Sequence, residues 1–289
     1  MASNPQKVTI PVSAGTITQL NIVSDSQLMD NYQASLPVAA DQQITALYDK
    51  QGYPMVFATG TDGDFFLLMR DWDGSQATGW TQVDLSQSLK AQNYGQPAQL
   101  AASQDSNGNI TLAVAVPNPQ DATTHDLLIA ALLSNDLSDA TIRAAWANLG
   151  GNSLWSTWKN PQAGTTVDKL YISPCNDLSN NVAVPFVAVS LHAAGHANAN
   201  EMLLRATVGN NGLATWTAQA FPTPTDKQTM LDYALGAIHD NDLSANGIYM
   251  LYQNPQGQNQ LRFLTFPDGN GRWFDRMLRT DAGDTCLQT

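Results

Sequence analysis

The sequence predicts an all-β fold, a β-propeller of about five blades in which each blade is a four-stranded antiparallel meander. Three observations predict it. The stretch from Ile44 to Asp84 reads ITALYD, PMVFATG, FFLLMRDWD and GWTQVD, four short runs rich in Val, Phe, Leu, Tyr and Trp that are separated by turns at KQGY and TDGD. The same four-run plan recurs three more times. Only one segment carries a clear helical period, so the repeat unit is built from strands.

In chain order, residues 8–42 form a partial N-terminal blade, with VTIPV and TITQLNIVS hinged at Ala14 and Gly15. Pairing such an orphan with strands from the far end would close a ring and remove exposed edges. The first full blade spans 44–88. The second, 99–162, runs through QLAASQD, a turn at Asn107 and Gly108, NITLAVAVPN and HDLLIAALLS. It is then interrupted near 138–150, where SDATIRAAWANLGG sets Ile142, Ala145, Trp146 and Leu149 at helical spacing. Ser138 or Asp139 serves as N-cap and Gly150 follows the end, which predicts a short inserted helix before a last strand starting near Trp155 or Trp158.

The third and fourth blades, 168–222 and 231–279, align with each other. DKLYISPCNDLSNNVAVPFVAVS matches ALGAIHDNDLSANGIYMLYQ, and the shared NDLS, at Asn176 and Asn241, falls in the turn between first and second strands. The third strands are EMLLRATV and QLRFLTFP, and the fourth open with Trp216 and Trp273. Gly52, Gly108, Asn181 and Gly247 mark the equivalent turn of each unit. TDKQTMLDYAL opens either as a helical turn capped by Asp226 or directly as a strand. The polar tail, 280–289, lies across the surface or pairs with the N-terminal segment. The whole chain, 1–289, is expected to be one domain. Four or six blades, or completion by a second chain, remain open, as does homo-oligomerisation.

Composition bounds the partners. Hydrophobic residues make up 43% and charged residues 13%, so the chain folds and its surface draws its polarity from Asn, Gln, Ser and Thr. That surface suits an uncharged polar ligand, although a plain preference for amides explains it equally. The net charge of −12 with no basic cluster makes nucleic acid and anionic membrane poor partners, and neither is expected. No apolar run is long enough for a secretory signal or a membrane span, so the protein is expected to be soluble, intracellular or exported without a recognisable signal peptide. Whether Cys175 and Cys286 pair stays open.

Seven Trp residues are present, and several follow an Arg on the preceding strand: Arg70 with Trp72 or Trp80, Arg205 with Trp216, and Arg262 or Arg272 with Trp273. An indole face stacks on a sugar ring while guanidinium donates to its hydroxyls, so Arg70, Trp72, Trp80, Arg205, Trp216, Arg262 and Trp273 are the candidate carbohydrate-binding residues. Repetition between blades would multiply weak affinities. The structural alternative is that each Trp fills space between adjacent blades.

With its blade length, turns such as TDGD and SNGN, and closing strands such as GWTQVD and ATWTAQ, the layout over residues 44–279 resembles the β-propeller lectins, the tachylectin-like and fungal fucose-binding group. The resemblance implies a propeller with shallow glycan sites between blades. The fucose-binding sites combine Arg, Glu and Trp. Glu201 is the only Glu here, so that triad cannot repeat and its specificity is not carried over.

Other constellations are weaker. His192, His196 and Glu201 could hold zinc if helical, but the segment reads as an Ala-, Asn- and Gly-rich loop, and no metal or cofactor is expected. Asp62 with Asp64, Asp71 with Asp73, and Asp240 with Asp242 are explained as turn formers. SQDSNG is similar to the Asp-box turn of sialidases but has an extra residue before Gly and no closing Trp. Asn109, Ile110 and Thr111 form a glycosylation sequon within a predicted strand. No nucleophile elbow, Walker loop or dinucleotide fingerprint occurs. Three functions fit: a non-enzymatic carbohydrate-binding protein, an enzyme with Asp residues at a channel mouth, or an interaction scaffold.

Overall fold

A computed structural model describes residues 12–13, 16–17, 44–60, 64–72, 77–105, 107–148, 155–177, 182–194, 200–208, 214–222, 229–239, 244–265, 274–277, 279–280 and 283–286. They are all-β apart from two short helices. Four antiparallel four-stranded sheets each follow chain order without crossovers, and they divide between two compact units, Met1–Ala102 with Gly108–Gly164 and Ser103–Asn107 with Thr165–Thr289. At the N-terminal end β1 (Val12–Ser13) pairs with β2 (Thr16–Ile17) across Ala14 and Gly15, where the sequence places a hinge.

In the first unit, sheet 1 is β3 (Thr45–Tyr48), β4 (Pro54–Thr59), β5 (Phe65–Trp72) and β6 (Ala77–Asp84), the four runs of the opening repeat. Its first turn is built by Asp49, whose carboxylate accepts the N–H groups of Gln51 at 2.9 Å and Tyr53 at 2.7 Å while Gly52 takes φ +87°. Helix α1 (Ser86–Ala91) follows, six residues long, with Leu85 at its N-cap making no side-chain cap and Asp84 accepting the Ser86 N–H at 2.8 Å. Sheet 2 is β7 (Gln99–Gln104), β8 (Ile110–Asn118), β9 (Asp121–Leu133) and, after α2 (Ala140–Asn148), β10 (Ser156–Trp158). The inserted helix is therefore present, and Asp139 is its cap, accepting from Thr141 N–H at 2.7 Å.

Met55, Phe57, Phe65, Leu67 and Met69 of sheet 1 pack with Leu112, Val114, Val116 and Leu128 of sheet 2 in one core. Trp146 joins this core against Phe57, ring centroids 5.9 Å apart, with its indole N–H donated to Ser134 O at 2.7 Å. Trp155 and Trp158 are likewise buried, so these three indoles fill space. The opposite faces are also buried, through Ala58, Phe66 and Leu68 in sheet 1 and Ala113, Ala115, Leu127 and Ile129 in sheet 2. That explains the unbroken apolar runs FFLLM and LAVAV, since a strand covered on both faces has no reason to alternate.

A third copy of NDLS, Asn135–Ser138, joins the two sheets of this unit. Asn135 accepts Lys50 N–H on its carbonyl at 3.2 Å and donates from Nδ2 to Tyr48 O at 3.1 Å. Asp136 pairs with Lys50 at 2.9 Å and accepts from Gln51 Nε2 at 3.0 Å, while Leu137 enters the core. Hydrogen bonds from Ser138, Lys50 and Gln51 hold the Asp136 carboxyl far below the usual carboxylate range.

Thr59 Oγ1, at the end of β4, is buried without a hydrogen-bond partner among the described residues. A buried hydroxyl in that state costs about 1–3 kcal/mol. Thr59→Val is expected to raise the unfolding free energy by about 1 kcal/mol, measured by urea denaturation; a loss of stability would show that the hydroxyl is satisfied in solution.

In the second unit, sheet 3 is β11 (Thr165–Asp177), β12 (Val182–Ala193), β13 (Asn200–Val208) and β14 (Ala214–Ala220), and sheet 4 is β15 (Thr229–His239), β16 (Ser244–Gln253), β17 (Asn259–Thr265) and β18 (Phe274–Met277). Phe186, Ala188, Leu203 and Phe221 of sheet 3 form a core with Tyr233, Ile248, Met250 and Leu264 of sheet 4. The first two strands of each sheet are joined where the repeated NDLS lies, pairing ending at Asp177 with Val182 and at His239 with Ser244; residues 178–181 and 240–243 lie outside the described set.

Two expectations change. Gly247 is not a turn residue but stands inside β16, opposite Gly236 and Thr265. His192 is on β12, paired with Thr166, rather than in a loop. In the tail, β19 (Arg279–Thr280) pairs with β20 (Gly283–Cys286). The possible helical turn at Asp226 and the Cys175 and Cys286 side chains lie outside the described residues.

Candidate functional site

Lys169 on β11 pairs with Ser190 on β12, and Ser190 pairs with Glu201 on β13. Phe221, just past β14, donates its N–H to Glu201 O at 2.9 Å and completes the row. Cross-strand neighbours share a face, so a cation, a hydroxyl, a carboxylate and an aromatic ring stand side by side across sheet 3. Adjacent strands are about 4.8 Å apart, which puts the Lys169 and Glu201 backbones roughly 10 Å from each other. Ala188 and Leu203 lie one step further along the same face, inside the core shared with sheet 4, so the row forms the polar rim of an apolar core.

Sheet 4 meets the row with Asp232 and Tyr233. The Tyr233 and Ser190 hydroxyls are 2.9 Å apart, and Lys169 Nζ lies 2.5 Å from Asp232 Oδ1. The Tyr233 ring is edge-on to Tyr171 at 5.3 Å and to Phe221 at 5.1 Å, and Lys169 Nζ is 6.0 Å from its centroid. Two bulges produce this meeting. Val167 pairs with Leu191 and Lys169 with Ser190, leaving Asp168 unpaired; Met230 pairs with Tyr252 and Asp232 with Leu251, leaving Leu231 unpaired. An extra residue shifts every following side chain by one position. Without it, Asp168 would occupy the place of Lys169, and Asp232 that of Tyr233.

Burial pushes the Glu201 carboxyl up, against the opposing pull of its own N–H and of Lys169. The hydrogen bond to Asp232 raises the Lys169 ammonium, and the same bond lowers Asp232. Burial raises Tyr233 well above an ordinary phenol. The row thus presents a partly exposed ion pair and a half-buried carboxylate, while the Ser190 and Tyr233 hydroxyls are buried against each other and the Phe221 and Tyr233 rings lie in the core.

The residues proposed from sequence fall in different places. Arg70 on β5 pairs directly with Trp80 on β6, and Trp72 pairs with Ala77; their side chains lie outside the described set. Arg205 pairs with Thr217 while Trp216 pairs with Ala206, which sets Arg205 and Trp216 on opposite faces of sheet 3. Arg205 is exposed on the face of Glu201, its guanidinium 5.9 Å from the Phe186 ring centroid. Arg262 faces Met250 and Met277, in the row of sheet 4 that includes Tyr233, and its guanidinium is 5.8 Å from the Tyr252 ring centroid. Trp273 and His196 lie outside the described residues. No three of His, Cys, Asp or Glu come together as metal ligands among the described residues.

Lys169, Ser190 and Tyr233 have no sequence signal, because only the bulged register makes them neighbours. Glu201 had one, as the chain's single glutamate at the head of a third strand.

No model of a known protein family matches the chain, and no curated protein matches it. Among solved structures it is similar to a mutant of the Aleuria aurantia lectin in complex with Fucα1-6GlcNAc, at 14% identity and a TM-score of 0.42, over 83% of this chain and 64% of that one. The chain therefore spans less than two thirds of that lectin's length.

Proposed function

We propose that the protein is a non-enzymatic, lectin-like carbohydrate-binding β-propeller of about five blades, with shallow sites between neighbouring sheets. The observation that carries the binding role is the row Lys169–Ser190–Glu201 beside Tyr233 and Phe221. A sugar needs donors and acceptors for its hydroxyls, and the row presents the partly exposed Lys169 ammonium and the half-buried Glu201 carboxylate at the rim of the core that Tyr233 and Phe221 close. Burial of both faces of sheets 1 and 2 supports the propeller, a fold in which each blade lies between two others. Arg205 beside Phe186 and Arg262 beside Tyr252 are further positions where an arginine accompanies an aromatic ring, and the strand register sets Arg70 opposite Trp80.

A glycan array probed with wild type, Glu201→Ala, Trp80→Ala and Trp216→Ala proteins tests this. Wild type is expected to bind at least one glycan class, with Glu201→Ala losing it about tenfold or more, as expected for a lost charged hydrogen bond. Absence of any glycan binding by the folded wild type would remove the proposal. Trp216→Ala separates contact from packing, because Trp216 is half-buried on the face away from the row.

A further inference from the structure

We infer that the rim site of the second unit prefers a sugar carrying a protonated amine over its neutral counterpart, with Glu201 as the group that selects it. The inference rests on the carbohydrate-binding proposal above and adds the charge of the ligand to it.

The electrostatic arrangement of the row is asymmetric. Lys169 is occupied by Asp232, 2.5 Å away, so those two charges cancel locally. Among the described residues the Glu201 carboxylate has only its own N–H as hydrogen-bond donor and feels Lys169 from two strands away. Its neighbours on the row are the Ser190 hydroxyl, shared with Tyr233, and the Phe221 ring. A half-buried carboxylate without a cation in contact is costly, and a ligand that brings one recovers the cost. At long range the net charge of −12 draws cations and repels anions.

A neutral sugar would leave Glu201 as an ordinary acceptor of hydroxyl protons. An ammonium donor makes the same hydrogen bond charge-assisted, roughly twice as strong. An expected preference of about tenfold follows from such a difference.

The test uses two probes of equal length and linkage, a β1,4-linked glucosamine tetrasaccharide and its fully N-acetylated form, measured by calorimetry against the whole chain. The amino form is expected to bind about tenfold more tightly at low salt, with the advantage shrinking as ionic strength rises. Glu201→Gln should abolish the preference, Glu201→Asp should retain part of it, and Lys169→Met should widen it by freeing Asp232. Equal affinities, a preference for the acetylated form, or a preference that survives Glu201→Gln would overturn the inference while leaving carbohydrate binding intact. Failure of both probes and of every other glycan would instead remove the proposal on which it rests.

Discussion

Replacing Asp126 by alanine is expected to lower the unfolding free energy by about 3 kcal/mol, roughly 1 kcal/mol for each of the buried or part-buried donors Tyr94, Asn118 and Asn160 that loses this acceptor. Asp126, on β9, is fully buried, yet its carboxylate is saturated. Oδ2 accepts from Tyr94 OH at 3.0 Å, Asn118 Nδ2 at 3.0 Å and Lys159 Nζ at 2.8 Å, and Oδ1 accepts from Asn160 N–H at 3.1 Å. These donors come from the segment before β7, the end of β8 and the segment after β10, so one side chain ties both margins of sheet 2 together. Lys159 is 62% exposed and recovers water when the partner is lost, so the cost falls on Tyr94, Asn118 and Asn160. Urea denaturation should show a lower midpoint with an unchanged slope, and a change below about 0.5 kcal/mol, the level of an ordinary surface substitution, would show the network to be incidental.

The same network has an alkaline signature. Burial works to lower the Lys159 ammonium but is outweighed by its bonds to Asp126 and Tyr94, so its folded-state affinity for the proton is raised; burial raises Tyr94 as well. A raised folded value for lysine means stability that is present below the ordinary lysine value and is lost as pH climbs through the raised one. Tyr94 acts in the same direction. Wild type should therefore lose stability above about pH 10 more steeply than the Asp126→Ala protein.

Gly247→Ala is expected to cost about 3 kcal/mol or to prevent sheet 4 from forming, the upper range for overpacking a core. A Cβ at this position would lie 2.1 Å from Leu264 O and 2.7 Å from Phe263 Cζ. The first contact is with backbone held in the β16–β17 ladder, where Ile248 pairs with Leu264, so no rotamer change relieves it. The Phe263 ring is fully buried and has nowhere to turn. Gly95→Ala is the control, since a Cβ there meets nothing within 4 Å. Thermal melting should separate the two variants clearly, and equal melting temperatures would show that β16 and β17 can part without cost.

Gly247 also shows where turn chemistry misleads. An Asn-Gly pair between two apolar runs is a hairpin signal, and Asn246 with Gly247 meets that description. In the folded chain the connection falls three residues earlier, at 240–243, and the glycine serves close packing between strands. By contrast, Gly52 and Gly108 take φ +87° and +83° in turns between first and second strands, where the sequence puts them.

The α2 helix was legible because Ile142 and Trp146 repeat at i, i+4 behind a capping Asp139; α1 was not, because six residues hold too little period to detect. The sequence offers Arg70 either Trp72 or Trp80, and only the strand register sets Trp80 opposite it. The partnership of Arg205 with Trp216 fails for the same reason, since a one-residue change of register moves a side chain to the other face.

What the sequence determined by itself is the repeat: four meanders, their strand order and most of their turns, because alternating local propensities and turn residues act over a few positions. What only the tertiary structure decided is which residues meet. The bulges at Asp168 and Leu231, rather than any motif, set Lys169 opposite Ser190 and bring Tyr233 to the row. A one-residue offset leaves no trace in composition or periodicity, yet it reverses every face that follows it.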